Sequence, residues 1–362
     1  MKMILKRRIA YGFILLIFCL MMIDIRMISV SAKTQTSMSD QGFKPAKHLK
    51  KKERDRYYSN SAFVGNSISK GLHIYFNSSG KGVCGHPIML VQGSYSFYND
   101  KNSGSQYQIT YRGKGMRAKE AIAAAKVKRV FINMGSNDLW KPYTQTYQDY
   151  VQYIRGIRKR NPKVVIFIQG TTPVCNSRNK KYLNNSAIQA LNKKMEKYCS
   201  CQKNMYYVDI SKGLTTAEGE LQKKYSSDDY MHITMAGYQI WAKNLNSYVS
   251  KLLLQEKNAK AAVDWAAQKK TKDSYNTARK WVNRLEQSTM KQKLQNRLKR
   301  IQKQIKDSEP NPDEKNAEPN KNTVPVESKM PAKSTPPKES MAPAKSAPPA
   351  ENTAPAESTA PK

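Results

Sequence analysis

From residue 61 to about residue 254 the chain alternates short runs of Val, Ile and Phe with longer amphipathic stretches, and this rhythm constrains the fold more than any other feature. The runs at 62–64, 88–91, 130–133, 164–169 and 206–210 are apolar at consecutive positions, so both faces of each strand must be covered. Between them, apolar residues recur at helical spacing over 69–76, 117–125, 143–160, 185–198 and 235–254. Five such strands separated by helices build a parallel sheet, so the expected architecture is a doubly wound α/β layer structure. The segment 108–114, around Tyr111-Arg112-Gly113-Lys114, reads as an inserted hairpin or extended loop, either one wall of a substrate cleft or a surface excursion.

The flanks differ in kind. Residues 1–32 place Lys2, Lys6, Arg7 and Arg8 before an apolar run at 9–23 and end on Val30-Ser31-Ala32, the layout of a secretory signal that is either cleaved or kept as a membrane anchor. A basic linker is expected over 33–57, the α/β domain over 58–254, and a helical segment over 255–305. In that segment Ala261, Ala262, Trp265 and Ala266 share one face, as do Ala278, Trp281, Val282 and Leu285, and then Leu294, Leu298, Ile301 and Ile305. Three such faces suit a small bundle, with a coiled-coil partner surface as the rival. Residues 306–362 hold 12 of the 17 prolines and no aromatic residue, so they cannot bury enough apolar surface to offset chain entropy and read as a disordered spacer. Export would leave Cys84, Cys175, Cys199 and Cys201 in an oxidising compartment, where several disulfide pairings are open.

The net charge of +36 invites a nucleic-acid reading, but no zinc-finger spacing, aromatic RNA-binding motif or basic zipper accompanies it. The excess is spread through 44–56, the helix flanks and 257–306. It reads as solvated surface, with attraction to an anionic envelope polymer or lipid headgroups as its functional form.

Four separated blocks carry the chemistry. Ser67 follows the first strand and precedes a helix, in the crevice where open α/β sheets bind ligands and where the helix N-terminus favours negative charge. In Asp229-Tyr230-Met231-His232, His232 can take the serine proton while a carboxylate fixes its tautomer. Asp229 is preferred over Asp228, because a three-residue spacing lets both side chains project the same way from a short turn. Gly135-Ser136-Asn137-Asp138 follows the third strand and brings the Asn137 amide to the same rim, and Gly93 ends the second strand with an unobstructed backbone N–H.

In this order Gly65-Asn66-Ser67, Gly93, Gly135-Ser136-Asn137-Asp138 and Asp229-Tyr230-Met231-His232 resemble the blocks of the SGNH superfamily, also called GDSL lipases and acylhydrolases. The resemblance spans about 58–254. It implies a flavodoxin-like three-layer α/β/α fold with a five-stranded parallel sheet. It also implies Ser67 as nucleophile, His232 with Asp229 as base and orienter, and an oxyanion hole from the Ser67 N–H, Gly93 and Asn137, with Asn66, Gly135 and Asp138 supporting. No metal or organic cofactor is expected. One departure stands out: the family usually has Asp before its nucleophile, whereas this chain has Asn66.

The expected activity is that of an exported serine esterase removing small acyl groups from a carbohydrate or envelope polymer, in the extracellular space or at the envelope. Acyl transfer to a polysaccharide hydroxyl is the alternative within the same chemistry. A non-catalytic envelope or carbohydrate-binding protein is the alternative of another class.

Overall fold

The structure, a computed structural model, describes residues 42–78, 85–102, 104–175 and 181–308. After α1 (Lys51–Tyr58), the chain runs through β1 (Ser61–Gly65), α2 (Ser67–Ser78), β2 (Ile88–Val91) and the short α3 (Phe97–Lys101). An antiparallel hairpin of β3 (Ile109–Tyr111) and β4 (Lys114–Met116) follows, at the segment expected to be inserted. Next come α4 (Ala118–Ala125), β5 (Arg129–Asn133), α5 (Tyr143–Arg160), β6 (Val165–Gln169), α6 (Asn185–Ser200) and β7 (Met205–Val208). The chain then forms α7 (Met235–Lys269), α8 (Lys272–Asn283) and α9 (Thr289–Asp307).

The sheet order is β2-β1-β5-β6-β7, with every neighbouring pair parallel. Setting the hairpin aside, this is the flavodoxin-like order, and the direction of winding reverses beside β1. Alternating side chains divide the core into two layers. Ala62, Val64, Val130, Ile132, Ile166 and Ile168 pack with Ala121, Ile122, Ile154, Ile157, Ile188 and Leu191 from α4, α5 and α6. On the other face the register partners Phe63, Phe131, Phe167 and Tyr206 form an aromatic ladder. Its ring centroids are 4.8, 4.4 and 4.9 Å apart and the rings are close to parallel. Ile68 and Leu72 from α2, with Trp241, Leu245 and Val249 from α7, complete this second layer. Stacked rings add to the area they bury, so the ladder pins strand register where one slipped residue would exchange the two faces.

Three expectations change. Residues 51–57, read as linker, form α1 together with Tyr58, which is fully buried beside Phe131, 5.5 Å between centroids. The boundary placed between 254 and 255 falls inside α7, which continues for 35 residues because no Gly or Pro interrupts it after Gly237. Both sides of that position belong to one compact unit. Along this helix the buried face passes from the sheet layer, ending at Leu252, to a second cluster of Ala259, Ala262, Val263 and Ala266 with Ala278, Val282, Leu298 and Ile301. That cluster is the core of a small helical bundle, and Ala261, expected to face it, is exposed.

Cys175 and Cys199 are buried free thiols and Cys201 is an exposed one; Cys84 lies outside the described residues. The proposed signal at 1–32 and the Pro-rich stretch from 309 onward also lie outside them. Among the described residues no helix is long and apolar enough to cross a membrane.

Candidate active site

Ser67 is the first residue of α2, two positions beyond the last register pair of β1, so its hydroxyl sits where the helix N-terminus meets the strand crevice. The tightness of this turn explains Gly65. A Cβ there would lie 2.0 Å from Ser69 Oγ and 2.7 Å from the Asn133 carbonyl oxygen. Asn66 is buried, its Oδ1 accepting from the Ile68 N–H at 3.1 Å and its Nδ2 donating to Ser136 Oγ at 2.7 Å. It ties the nucleophile turn to the loop after β5. From the other side the buried Tyr238 hydroxyl of α7 donates to the Ile68 carbonyl at 2.8 Å and fixes the first turn of α2.

His232 reaches across from the loop before α7, with Nε2 3.0 Å from Ser67 Oγ. Its Nδ1 lies 2.7 Å from Asp228 Oδ2. The orienting carboxylate is therefore Asp228, and the expectation of Asp229 is corrected. The reason lies in the backbone: Asp229 is left-handed at φ +54° and exposed, at the apex of a tight turn closed by the Ser227 N–H to the His232 carbonyl at 2.9 Å. Asp228, one residue earlier, curls into that turn, and its Oδ1 accepts from the Tyr230 and His232 N–H groups at 2.9 and 3.1 Å. Burial pushes the Asp228 carboxyl up, but the hydrogen bonds from the His232 ring and these two N–H groups outweigh it and hold its pKa below the ordinary value. A carboxylate that stays ionised fixes Nδ1 as a donor, which leaves Nε2 to face Ser67 as the acceptor.

Sheet register brings the remaining candidates to the same rim. Gly65 pairs with Val91 on one side and Asn133 on the other. Gly93 and Gly135 thus stand, like Ser67, two positions beyond their strands' register partners, and Asn137 follows two further on. Among the described residues, no heavy atom other than its chain neighbours' lies within 4 Å of the Cβ position at Gly93, so that approach is open. Gly135 has φ +110°, and only glycine adopts this conformation freely as the chain turns into the 3₁₀ segment Ser136–Asp138. Asn137 Nδ2 donates to the Tyr95 carbonyl at 3.0 Å. An amide has two donor hydrogens, so this bond orients the group and leaves a second N–H for an oxyanion.

Asp138 cross-braces the two donor loops. It is fully buried, and its Oδ1 accepts from the Phe97 N–H at 2.9 Å, four residues after Gly93. Its Oδ2 is buried with no hydrogen-bond partner among the described residues. Burial pushes this carboxyl up to about 7, against the opposing effects of the Phe97 N–H and Lys141.

Sequence reasoning missed two positioning residues. Tyr238 sits six residues after His232 in an apolar helical pattern, where a tyrosine looks like core. Asp228 yields to Asp229 on spacing alone, because the left-handed residue after it has no distinctive sequence signal in an Asp-Asp pair.

A serine, histidine and carboxylate joined by hydrogen bonds, at the switch point of a flavodoxin-like sheet, define the class of serine-dependent ester hydrolases. Residues 63–240 match the profile of the GDSL-like lipase/acylhydrolase family, and the chain is an ester hydrolase of that family. Among solved structures, it is similar to a putative acylhydrolase from Bacteroides fragilis, at 19% identity over 58% of this chain and 91% of that one, with a TM-score of 0.41. A GDSL-like lipase from Bacteroides thetaiotaomicron is similar at 19% identity over 57% and 92%, TM-score 0.41. A carbohydrate esterase family 3 protein from Talaromyces cellulolyticus is similar at 15% over 54% and 98%, TM-score 0.39. No curated protein matches the sequence.

Proposed function

We propose that the chain hydrolyses oxygen esters through an acyl-Ser67 intermediate, and that its substrate is a short acyl group, acetyl above all, on a carbohydrate or envelope polymer. The observation that carries the mechanism is the hydrogen-bonded line from Asp228 Oδ2 through His232 to Ser67 Oγ, at 2.7 and 3.0 Å. His232 Nε2 takes the proton as Ser67 Oγ attacks the ester carbonyl, and Asp228 stabilises the imidazolium. The tetrahedral oxyanion is met by the Ser67 and Gly93 N–H groups and the free Asn137 amide hydrogen. His232 then gives its proton to the departing alcohol, and a water molecule repeats the sequence to release the acid.

Two features support a sugar-borne ester over a lipid. Tyr98 and Trp140, 60% and 64% exposed, follow closely on the segments that carry Gly93 and Asn137, and flat rings of this kind stack on pyranose faces. The sequence also has no long apolar insertion that would serve as a lipase lid. The signal layout at 1–32 supports action outside the cytoplasm.

A fluorophosphonate probe tests the mechanism: it should label the protein, and Ser67→Ala should abolish labelling. Unlabelled protein that still cleaves esters would overturn this mechanism. Acetate release from an acetylated polysaccharide, set against release from long-chain esters, tests the substrate, and a preference for long chains would overturn that part. Transfer of the acyl group to an added polysaccharide in place of water would identify an acyltransferase.

A further inference from the structure

At the amino ends of β5, β6 and β7, the far side of the sheet from Ser67, lies an open cavity of about 750 Å³. Its lining includes Arg129, Arg158, Lys163, Lys203 and Lys293, with Glu256 as the one carboxyl among the described residues. None of the five cations forms an ion pair with a carboxylate among the described residues. The two guanidiniums are held in place: Arg129 donates to the Tyr57 carbonyl at 2.9 Å and lies 3.6 Å over the Tyr57 ring, and Arg158 donates to the Lys203 carbonyl at 2.6 Å. Lys163 and Lys293 are exposed and come from different elements, one from the loop before β6 and one from α9.

The appended helices supply part of the wall. Asn204 and Thr289 hold α9 against the sheet through the Asn204 Nδ2 to Thr289 Oγ1 bond at 2.8 Å and the Thr289 N–H to Asn204 Oδ1 bond at 2.7 Å. The Asn204 N–H also donates to the Gln287 carbonyl at 2.9 Å. Half-buried Glu256 is pushed up by burial, with Arg129 opposing.

We infer that this cavity binds a phosphate-bearing polymer, with Lys163, Lys293 and the pinned Arg129 and Arg158 receiving successive phosphates. Five cations gathered in a concavity with a single carboxylate repel one another, and an anion that enters relieves that repulsion and gains focused attraction. Guanidiniums fixed by their own carbonyl bonds present the remaining N–H groups to phosphate oxygens with little further loss of entropy. A chain with repeating phosphates matches a site whose cations come from separate walls, since each unit meets a different one. Single-stranded nucleic acid fits less well, because the aromatic groups of the lining, Tyr57 and Tyr206, are engaged in packing under Arg129 and in the ring ladder and offer no face for base stacking. The inference goes beyond the esterase reading and does not rest on it.

The test is calorimetric titration of the full chain with long-chain sodium polyphosphate over a series of salt concentrations. Binding should weaken steeply with salt. The double variant Lys163→Gln with Lys293→Gln should lose about tenfold in affinity at low salt, and its log–log salt slope should fall by about 1.4, or about 0.7 for each lost phosphate contact. A control pair at the exposed end of α7, Lys269→Gln with Lys270→Gln, should leave both quantities unchanged. The inference is overturned if the control pair weakens binding as much as the cavity pair, since that is attraction to net charge alone. It is equally overturned if low-salt polyphosphate does not bind, or if oligothymidylate binds more tightly than polyphosphate at Lys163 and Lys293. Cleavage of a small soluble ester and fluorophosphonate labelling should be the same in all three proteins, so failure here is distinguishable from failure of the Ser67 mechanism.

Discussion

At the carboxyl ends of the strands, polar side chains are joined into one set: Asp228 holds His232, His232 meets Ser67, Asn66 holds Ser136, and Asp138 and Asn137 hold the 95–97 loop. At the amino ends of β5, β6 and β7, five cations face a cavity without an ion pair among the described residues. The same sheet thus carries two kinds of site. One works by hydrogen bonds fixed before a substrate arrives, which cost no reorganisation during reaction. The other is left with charge to be neutralised, which makes it a place for association and sensitive to salt. Hydrolysis of a small neutral ester should accordingly respond little to ionic strength, whereas polyanion binding should respond strongly.

The sharpest break of the first arrangement is its orienting carboxylate. Asp228→Asn should lower kcat by about ten-thousandfold, because an amide no longer fixes the His232 tautomer or stabilises the imidazolium. Asp229→Asn should leave kcat within about twofold, since a change at an exposed turn residue touches none of the hydrogen bonds of the line. Steady-state kinetics on one ester distinguishes them, and a large loss in Asp229→Asn with a small one in Asp228→Asn would reverse the assignment. Next in size is Asn137→Ala, expected to lower kcat by about a hundredfold to a thousandfold with KM little changed, as removal of one oxyanion donor does. An equal rise in KM would mean that Asn137 binds the ground state instead.

The contrast between the two ends also explains what could be read in the sequence. Strands at 62–64, 88–91 and 130–133 were legible because a strand buried on both faces is apolar at consecutive positions, and the structure extends or keeps each by at most a residue or two. Ser67, Gly135 and Asn137 were legible because each stands at a fixed short distance beyond such a strand. The helix α7 was cut at 254 because its buried face changes partner from the sheet to the bundle, which periodicity reports as an end even though the backbone continues. The 51–58 helix was hidden by charge, its apolar contribution being Tyr57 and Tyr58 at one end. The basic cavity draws on positions 57, 129, 158, 162–165, 203, 204, 206, 256, 288–290 and 293, which no spacing rule connects.

Two smaller effects probe the supports of the carboxyl-end network. Tyr238→Phe removes the buried bond to the Ile68 carbonyl, and should cost about 1 kcal/mol of stability, read from chemical denaturation. Asp138 should make itself felt through pH. Its folded pKa is raised from the ordinary 3.8 to about 7, so the native carboxyl keeps a proton that the unfolded chain has released. Its contribution to stability therefore falls as pH rises between those values and levels off above about 7. The difference in stability between Asp138→Asn and the parent protein should change across that window in favour of the variant, and a difference independent of pH would remove Asp138 as its source.

The smallest expected effect concerns Asn66, where the family usually has Asp. Its Oδ1 is committed to the Ile68 N–H and its Nδ2 to Ser136 Oγ, so the amide serves as acceptor and donor at once. In Asn66→Asp the first bond survives, and the Ser136 hydroxyl can rotate to donate in place of accepting, so the fold should hold. The change in charge is another matter. A carboxylate next to Ser67 in sequence and buried beneath the turn favours the imidazolium form of His232, which then needs a higher pH to become the base. The acid limb of kcat/KM should move upward by about one pH unit or less, with the plateau rate within a few-fold of the parent. An unmoved acid limb would mean that the new carboxyl is neutral or screened, and that Asn66 acts here only as the hinge between the nucleophile turn and the Ser136 loop.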